Sequence, residues 1–457
     1  MPLRVPLLQH LADDEKKQSK KFARACVTPL QAKETTEDRP VPLLSIQCRY
    51  DPSNAATIHP VALGSTTPPI IYLENLGFHS NNTMNTVNKQ ETLLKFYGTT
   101  DRREAWRRLD EAEGKMDISK LEEWTTMNIP YYAPESELPR PLPTITEIEG
   151  ARNTKDDLAR RTGGLKPVYR IDGVFVVKIC EYPFVLQEAE NLLFLQKHSQ
   201  VRVPKIYAAY CSQGLDPYNY LHSFPRKFPN RNSLPIYHVL IMEYIDGTPL
   251  NTYSPGETRF TRKRSWDTYT QRKRDNISKK LDKQLRLLRS VPPPAEPYYG
   301  RIYGQPWHPW THVISRCSIP STMVGPFKRH EDFVNAIFER SLKMCALQQE
   351  EDFLPTERIA LERFKEDMSN AHGTNPVLTH FGLKEEDVLL INNPNDLEDP
   401  DIVIIDWEFM SWMPAYIDPG YTRWPVDKRL LFTAMDADIR LVADYVGKFL
   451  NKTANSY

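Results

Sequence analysis

Several features that would place this chain in a narrow functional class are missing from its sequence. Lys+Arg and Asp+Glu both total 59 among 457 residues, so no net charge attracts the chain to nucleic acid or an acidic membrane. None of the six cysteines forms a Cys-x-x-Cys pair, and a chain of this length needs no disulfides for stability, which favours a reduced, intracellular protein. No apolar run approaches the roughly 20 residues of a membrane-spanning helix, so we expect no membrane partner.

Proline, in contrast, is abundant at 38 residues, and much of it lies in the first third of the chain. Residues 1–95 also carry many Thr, Asn and Lys residues without a sustained period, which predicts an irregular or disordered extension. Residues 96–145 are expected to hold one helix, from Asp101 to Glu113, and then a Pro-rich linker.

The pattern changes near residue 146 to short apolar strands with helices between them. Val168 to Ile171 and Val174 to Ile179 flank Asp172-Gly173, a turn that predicts a β-hairpin. Residues 146–250 are therefore expected to form a small β-rich lobe, and residues 251–457 a larger helical lobe. The predicted class is α+β and bilobal, with a poorly ordered N-terminal extension.

Lys178 ends a strongly apolar strand, which is the geometry that a phosphate-binding lysine needs, although a solvated edge-strand lysine remains the alternative. Glu188 follows ten positions later in a predicted helix and could pair with it, with Glu190 as a rival. No Gly-x-Gly-x-x-Gly motif precedes this strand. The nearest glycine pair, Gly163-Gly164, is equally consistent with a plain turn.

Two carboxylates stand at the ends of apolar strands in the second half of the chain. Asp406 follows Ile404-Ile405, and Asp387 precedes Val388-Leu389-Leu390. An Asp at the end of a buried strand must be hydrated, hydrogen-bonded or bound to a metal ion. Because Mg²⁺ takes one or two carboxylates together with phosphate oxygens, the two residues suit a Mg²⁺ site, although a structural role stays open.

The order of these elements resembles the aminoglycoside phosphotransferase and choline kinase branch of the protein-kinase-like fold, in particular its large fungal-type members. The resemblance covers roughly residues 140–450. It rests on the hairpin with Lys178, Glu188-Ala189-Glu190, Val203-Pro204-Lys205, Met242 to Gly247, Gly325-Pro326-Phe327, Thr379-His380-x-x-Leu383 and Ile405-Asp406-Trp407-Glu408.

The resemblance implies a role for each matching residue. Lys178 would contact the phosphates of ATP, Glu188 would orient Lys178, and Asp406 would chelate Mg²⁺. A linker that holds adenine through its backbone groups is implied at Met242, Glu243, Tyr244 and Ile245.

The family's catalytic loop reads His-Gly-Asp-Leu, three residues, then Asn. Here His380 is followed by Gly382 at the position of the catalytic Asp, and Asp387 stands at the position of the metal-binding Asn. Glycine cannot accept a proton, and a positioned general base contributes about 10²–10⁴-fold in rate. We therefore expect a protein that binds ATP and Mg²⁺ with weakened or lost phosphoryl transfer. The alternative is an active phosphotransferase for the hydroxyl of an unknown small molecule, with Glu385 or Glu386 as a substitute acid.

Two further motifs have weaker interpretations. The basic run 259–274 suggests a nucleic-acid patch or nuclear import signal, but a solvated helix face explains it better in a neutral chain. His308 and His312 have helical metal spacing, yet Pro309 lies between them and no third ligand is near, which argues against zinc. We expect a cytoplasmic protein, with the nucleus as the alternative, whose partners are a nucleotide and an unknown small molecule or protein.

Overall fold

The computed structural model describes residues 87–113, 119–158, 166–251, 265–308, 324–421, 432–433 and 435–454. Outside them lie most of the extension predicted at 1–95, the pair Gly163-Gly164, His312 and the first part of the basic run. Helix α1 (Lys89–Tyr97) occupies the end of the segment predicted to be irregular. The side chain of Asn88 caps this helix, and Gly98 ends it in the left-handed conformation.

A five-stranded antiparallel sheet dominates the part of the chain that was predicted to be β-rich. Its strands are β1 (Tyr131–Tyr132), β2 (Val168–Ile171), β3 (Phe175–Cys180), β4 (Ile206–Ser212) and β5 (Tyr237–Glu243). They lie side by side in the order β1-β4-β5-β3-β2. Asp172 and Gly173 both have positive φ and connect β2 to β3, which confirms the predicted hairpin. Lys178 pairs with Val168 on one side and Leu240 on the other, so it does not lie on an edge strand.

Most of the long described helices lie in the second half of the chain. The described helices after α1 are α2 (Arg102–Glu113), α3 (Ile145–Gly150), α4 (Phe184–His198), α5 (Tyr220–Ser223), α6 (Ser265–Thr268), α7 (Gln271–Arg289), α8 (His330–Gln348), α9 (Pro355–Met368), α10 (Ile417–Tyr421) and α11 (Ala437–Ala454). Ile277, Leu281, Leu285 and Leu288 recur at helical spacing, a pattern that predicts one helix from Trp266 to Leu288, but the structure divides this segment into α6 and α7. The division occurs because Thr270 accepts a hydrogen bond from the Lys273 amide and caps a new helix.

Two small three-stranded sheets lie among these helices. Their strands are β6 (Thr248–Pro249), β7 (Gly300–Arg301), β8 (Pro376–Thr379), β9 (Val388–Ile391), β10 (Asp401–Ile404) and β11 (Ser411–Pro414). One sheet has the order β10-β9-β6 and the other β7-β11-β8. Val388 pairs with Ile404, and the Ile405 amide donates to the Asp387 carbonyl at 2.8 Å. The antiparallel register therefore brings Asp387 and Asp406 to the same end of one strand pair.

One apolar core continues from the five-stranded sheet into the helical part. It includes Val176 and Met242 from the sheet and Leu250, Leu390 and Ile404 from the other side, all of them buried. The mixture of antiparallel sheets and helices confirms the predicted α+β class. In the described part of the chain, no helix combines the length and the apolar character that crossing a bilayer requires.

Candidate active site

Lys178, Glu188 and Asp406 meet between the sheet and the helical part. The Lys178 Nζ lies 2.7 and 2.8 Å from the two Glu188 carboxylate oxygens and 3.0 Å from Asp406 Oδ1. The Lys178 side chain is 13% exposed, that of Glu188 is 2% exposed, and that of Asp406 is 32% exposed. The structure thus brings together three of the predicted site residues, and the carboxylate of Asp406 is the most accessible to a ligand.

The three side chains change one another's ionisation. Burial alone would lower the pKa of Lys178, but the carboxylates of Asp406 and Glu188 offset this effect and raise its pKa above the ordinary value. Burial would raise the pKa of Asp406, yet the neighbouring lysines, with Lys178 first, hold it below the ordinary value. Burial raises the pKa of Glu188, and Lys178 opposes that increase. Lys178 therefore stays charged in the pH range in which nucleotide phosphates are anionic.

Three of the buried polar residues of helix α4 contact different partners. Glu188 contacts Lys178, whereas Glu190 faces away from it and contacts Thr126 and Gln305. Asn191 donates from Nδ2 to the Trp407 carbonyl at 2.7 Å, next to Asp406. The choice between Glu188 and Glu190, which the sequence left open, is decided in favour of Glu188.

Two more lysines lie around the carboxylates, and the sequence pattern did not single them out. The Nζ of Lys166 is 2.7 Å from Glu408 Oε2, two residues after Asp406. Asp387, foremost among its acidic neighbours, raises the pKa of Lys384 above the ordinary value, and Asp406 acts in the same direction. Lys166 and Lys384 thus add positive charge beside Asp406 and Glu408, next to the group formed by Lys178, Glu188 and Asp406.

The predicted catalytic loop is held by a residue that the sequence did not indicate. Asp418, in α10, accepts hydrogen bonds from the amides of His380 at 3.2 Å and Phe381 at 3.0 Å. The His380 Nε2 lies 2.9 Å from the Ile405 carbonyl, and burial lowers the pKa of this imidazole. The neutral ring therefore links the loop to the backbone just after β10, next to Asp406. In the sequence, Asp418 is only an Asp between two apolar segments. Its distance along the chain from the loop follows no fixed spacing, so the sequence pattern did not indicate its role.

Gly382 has φ +124°, which an L side chain rarely adopts. A Cβ built on this residue would meet only the Phe409 Cδ2, at 4.0 Å, so the position has room for a side chain. There is therefore space for a side chain at Gly382, and no carboxylate of the described residues lies within 4 Å of that Cβ.

The acidic residues after Gly382 differ in their surroundings. Glu385 is buried and accepts a short hydrogen bond from Asn251, so its carboxylate faces the chain segment after β6. Asp387 is also buried, and its carboxylate accepts from the Lys384 amide at 2.9 Å. Glu386 is partly buried. Glu385 can serve as a substitute acid only if it leaves Asn251.

Asp387 and Asp406 are a chemically suitable pair for Mg²⁺. Burial and the nearby Asp406 raise the pKa of Asp387 well above its ordinary value. A divalent cation between two carboxylates removes this repulsion, and Mg²⁺ commonly combines two carboxylates with phosphate oxygens and water. The described residues hold no group of three or more His, Cys, Asp or Glu side chains placed for a metal, so phosphate oxygens would have to complete the coordination of an ion at this pair.

The predicted adenine linker lies at the end of β5. The Glu243 amide donates to the Lys205 carbonyl at 2.7 Å, and the Tyr244 amide donates to the Val174 carbonyl at 2.9 Å. Met242 is paired within the sheet, and Ile245 is buried against Leu389 and Val403. The two central amides are thus already used within the protein, so adenine would have to be held by neighbouring backbone groups.

His308, the first of the two histidines with metal spacing, is a buried aromatic residue. Its ring stacks on Trp124 at 3.6 Å between centroids, and burial together with the nearby Arg301 lowers its pKa to about 3. His312 lies outside the described residues. His308 therefore packs as a neutral ring in the protein interior.

This burial predicts a pH dependence of stability. The unfolded state binds a proton at His308 near pH 6.5, whereas the folded state does so only near pH 3, so stability falls as the pH falls through this window. Between pH 7 and pH 5 the free energy of unfolding, measured in urea, is expected to fall by about 2 kcal/mol more for the parent than for His308→Phe. His222→Gln, at an exposed histidine, should behave like the parent. Equal losses in the parent and in His308→Phe would contradict the burial of a neutral ring.

Arg272, near the end of the basic run, pairs with Asp396 of its own chain. On the same helix, beyond the run, the Nζ of Lys280 lies 3.0 Å from both Asp399 and Asp401. These contacts place the start of α7 against the loop before β10. They favour the solvated-helix interpretation over a nucleic-acid patch.

Comparisons with known proteins give little further guidance. No family model matches the chain, and no curated protein matches it. Among solved structures, a thermostable mutant of aminoglycoside phosphotransferase APH(4)-Ia in its apo form is 10% identical, with a TM-score of 0.33 over 64% of this chain and 75% of that one. The GDP complex of wild-type aminoglycoside 2'-phosphotransferase-IIIa is 14% identical, with a TM-score of 0.36 over 63% of this chain and 79% of that one. These values assign no family, so function must be inferred from the side chains.

Proposed function

We propose that this chain is a kinase-like protein of the aminoglycoside phosphotransferase and choline kinase type that binds ATP and Mg²⁺, with weakened or lost phosphoryl transfer. The observation that carries the proposal is the ion-paired group of Lys178, Glu188 and Asp406, in which one buried ammonium is held by carboxylates from two different parts of the fold. Such a pair costs desolvation energy and is weak evidence for stability alone, so a role in ligand binding explains it better.

Each residue has a defined task in this proposal. Lys178 binds phosphate oxygens while Glu188 keeps its ammonium in place, and Asp406 with Asp387 would hold Mg²⁺. The bound Mg²⁺ supplies charge neutralisation at the phosphates. His380 and Asp418 fix the loop on which an acceptor hydroxyl would be aligned. Because Gly382 has no side chain, this position of the loop offers no carboxylate to accept the hydroxyl proton.

The direct experiment is the melting temperature of the full chain with ATP alone, with Mg²⁺ alone and with both. A rise that requires both components supports the proposed site, because ATP binds only the folded state and stabilises it by mass action. GTP in place of ATP tests whether adenine is selected. No rise at millimolar concentrations of either nucleotide with Mg²⁺ would contradict the proposal, and a protein partner would then become the candidate ligand.

A further inference from the structure

Helix α4 carries two buried glutamates on different faces, and only Glu188 belongs to the proposed nucleotide site. Residues two positions apart on a helix do not share a face. Glu190, which is 2% exposed, therefore faces the chain segment 119–133, which ends at the edge strand β1 and is named the strap. The residues that contact Glu190 are not part of the proposed phosphate site, so these contacts have a different role.

The Glu190 carboxylate is fully engaged on this second face. Its Oε1 accepts from the Thr126 amide at 2.7 Å and, in a short hydrogen bond, from the Thr126 hydroxyl. Its Oε2 accepts from Gln305 Nε2 at 2.8 Å and from Arg301 Nη2 at 3.4 Å. Arg301 is 3% exposed, and its Nε and Nη1 have no hydrogen-bond partner among the described residues. Glu190 is thus the carboxylate that compensates a buried guanidinium.

The strap also touches the beginning of α4 and the edge of the sheet. Trp124 packs edge-on against Phe184, the first residue of the helix, at 5.3 Å between ring centroids. Arg301 donates a short hydrogen bond to the Trp124 carbonyl. At its other end, strand β1 pairs with β4, and the Ala133 amide donates to the Tyr207 carbonyl at 2.8 Å. The strap is therefore attached to α4 at two points, to the sheet and to β7.

We propose that the strap is a built-in positioning element for α4, and that Thr126 and Glu190 are positioning residues for the Lys178–Glu188 pair. The expected effect on ATP binding rests on the proposed function, since the Lys178–Glu188 pair belongs to the proposed phosphate site. A helix is rigid over two residues, so a displacement that breaks the contacts of Glu190 also moves Glu188 relative to Lys178. The Lys178–Glu188 pair therefore forms fully only when the strap is docked on α4.

The test compares two threonines that both donate to a glutamate. Thr126 gives both its amide and its hydroxyl to Glu190, and Thr144 gives both to Glu147 in α3, a different helix from α4. Thr126→Val and Thr144→Val each remove a hydroxyl bond to a carboxylate from an exposed residue, and Thr144→Val also removes the bond that its hydroxyl accepts from the Glu147 amide. Three quantities are measured in the full chain: amide hydrogen exchange across residues 184–198, the acylation rate of Lys178 by an amine-reactive reagent, and the affinity for ATP with Mg²⁺.

Thr126→Val is expected to speed acylation of Lys178 and exchange in α4, and to weaken ATP binding, each by about three- to tenfold, since one charge-assisted hydrogen bond is lost. Thr144→Val should leave all three quantities at the parental values. Glu190→Gln, checked for folding by circular dichroism, should move them in the same direction as Thr126→Val.

Parental acylation and exchange in a folded Thr126→Val protein would overturn the role of the strap. The first two measurements need no nucleotide, so they decide on the strap even if the parent binds no ATP. A parent that fails to bind ATP, with Lys178 still responding to Thr126→Val, would instead overturn the proposed function and leave the positioning role in place.

Discussion

Replacing Lys178 by Met is expected to abolish the rise in melting temperature that ATP and Mg²⁺ give the parent protein. At a ligand concentration about 100 times the Kd, binding stabilises the parent by about 2.7 kcal/mol, which corresponds to a rise of roughly 3–5 °C for a domain of this size. Met keeps the apolar stem of the lysine but offers no charge to phosphate oxygens. The measurement is a thermal melt of each protein with and without nucleotide.

The comparison must use each variant's own nucleotide-free melting temperature. Lys178→Met leaves the buried Glu188 without its counter-charge, and breaking a buried ion pair costs about 3–5 kcal/mol, so the variant melts lower from the start. Lys95→Met is the control, since Lys95 of α1 forms an exposed ion pair with Glu339 of α8 at 3.4 Å. Asp406→Asn should lose the Mg²⁺ dependence in particular. If ATP and Mg²⁺ raise the melting temperature of Lys178→Met by as much as that of the parent, Lys178 is not part of the nucleotide site.

Local sequence signals were sufficient for the parts of the site that lie on neighbouring elements. The Asp172-Gly173 turn predicted the β2–β3 hairpin, and this hairpin places Lys178 on β3, between two paired strands. The apolar runs before Asp406 and after Asp387 predicted two strands, which the structure pairs at the expected ends. Turn chemistry and strand period act over a few residues, so they can be recognised without knowledge of the fold.

Contacts between distant segments could not be predicted in this way. Lys166 and Glu408 are 242 residues apart, and Glu190 and Arg301 are 111 residues apart. Each of these side chains looks like an ordinary surface charge in the sequence, because its partner is selected by packing rather than by spacing. The same holds for Asp418, which holds the loop at His380 from a position 38 residues later. Local signals thus predicted the strands that carry the candidate residues, whereas these contacts between distant segments depend on packing and could not be predicted from spacing.

Gly382 is the position at which the sequence and the geometry together predict a gain of function. A side chain fits there, since the nearest atom to a Cβ placed on this residue is the Phe409 Cδ2 at 4.0 Å. The backbone at φ +124° opposes any L residue, and such strain costs on the order of 1–3 kcal/mol. A substitution at this position is therefore expected to lower stability without filling the cleft.

Gly382→Asp is expected to raise the rate of phosphoryl transfer from ATP, measured as hydrolysis with water as the acceptor, by about 10²–10⁴-fold, which is the usual contribution of a positioned general base. Gly382→Asn is the matched control, because it has the same size and the same backbone strain but accepts no proton. Turnover in Gly382→Asp alone would show that the missing carboxylate limits the reaction. If both variants bind ATP like the parent and neither turns it over, the absence of the Asp is not the cause, and the cleft serves binding rather than transfer. A parent that already hydrolyses ATP at the rate of Gly382→Asp would instead favour Glu385 or Glu386 as the substitute acid.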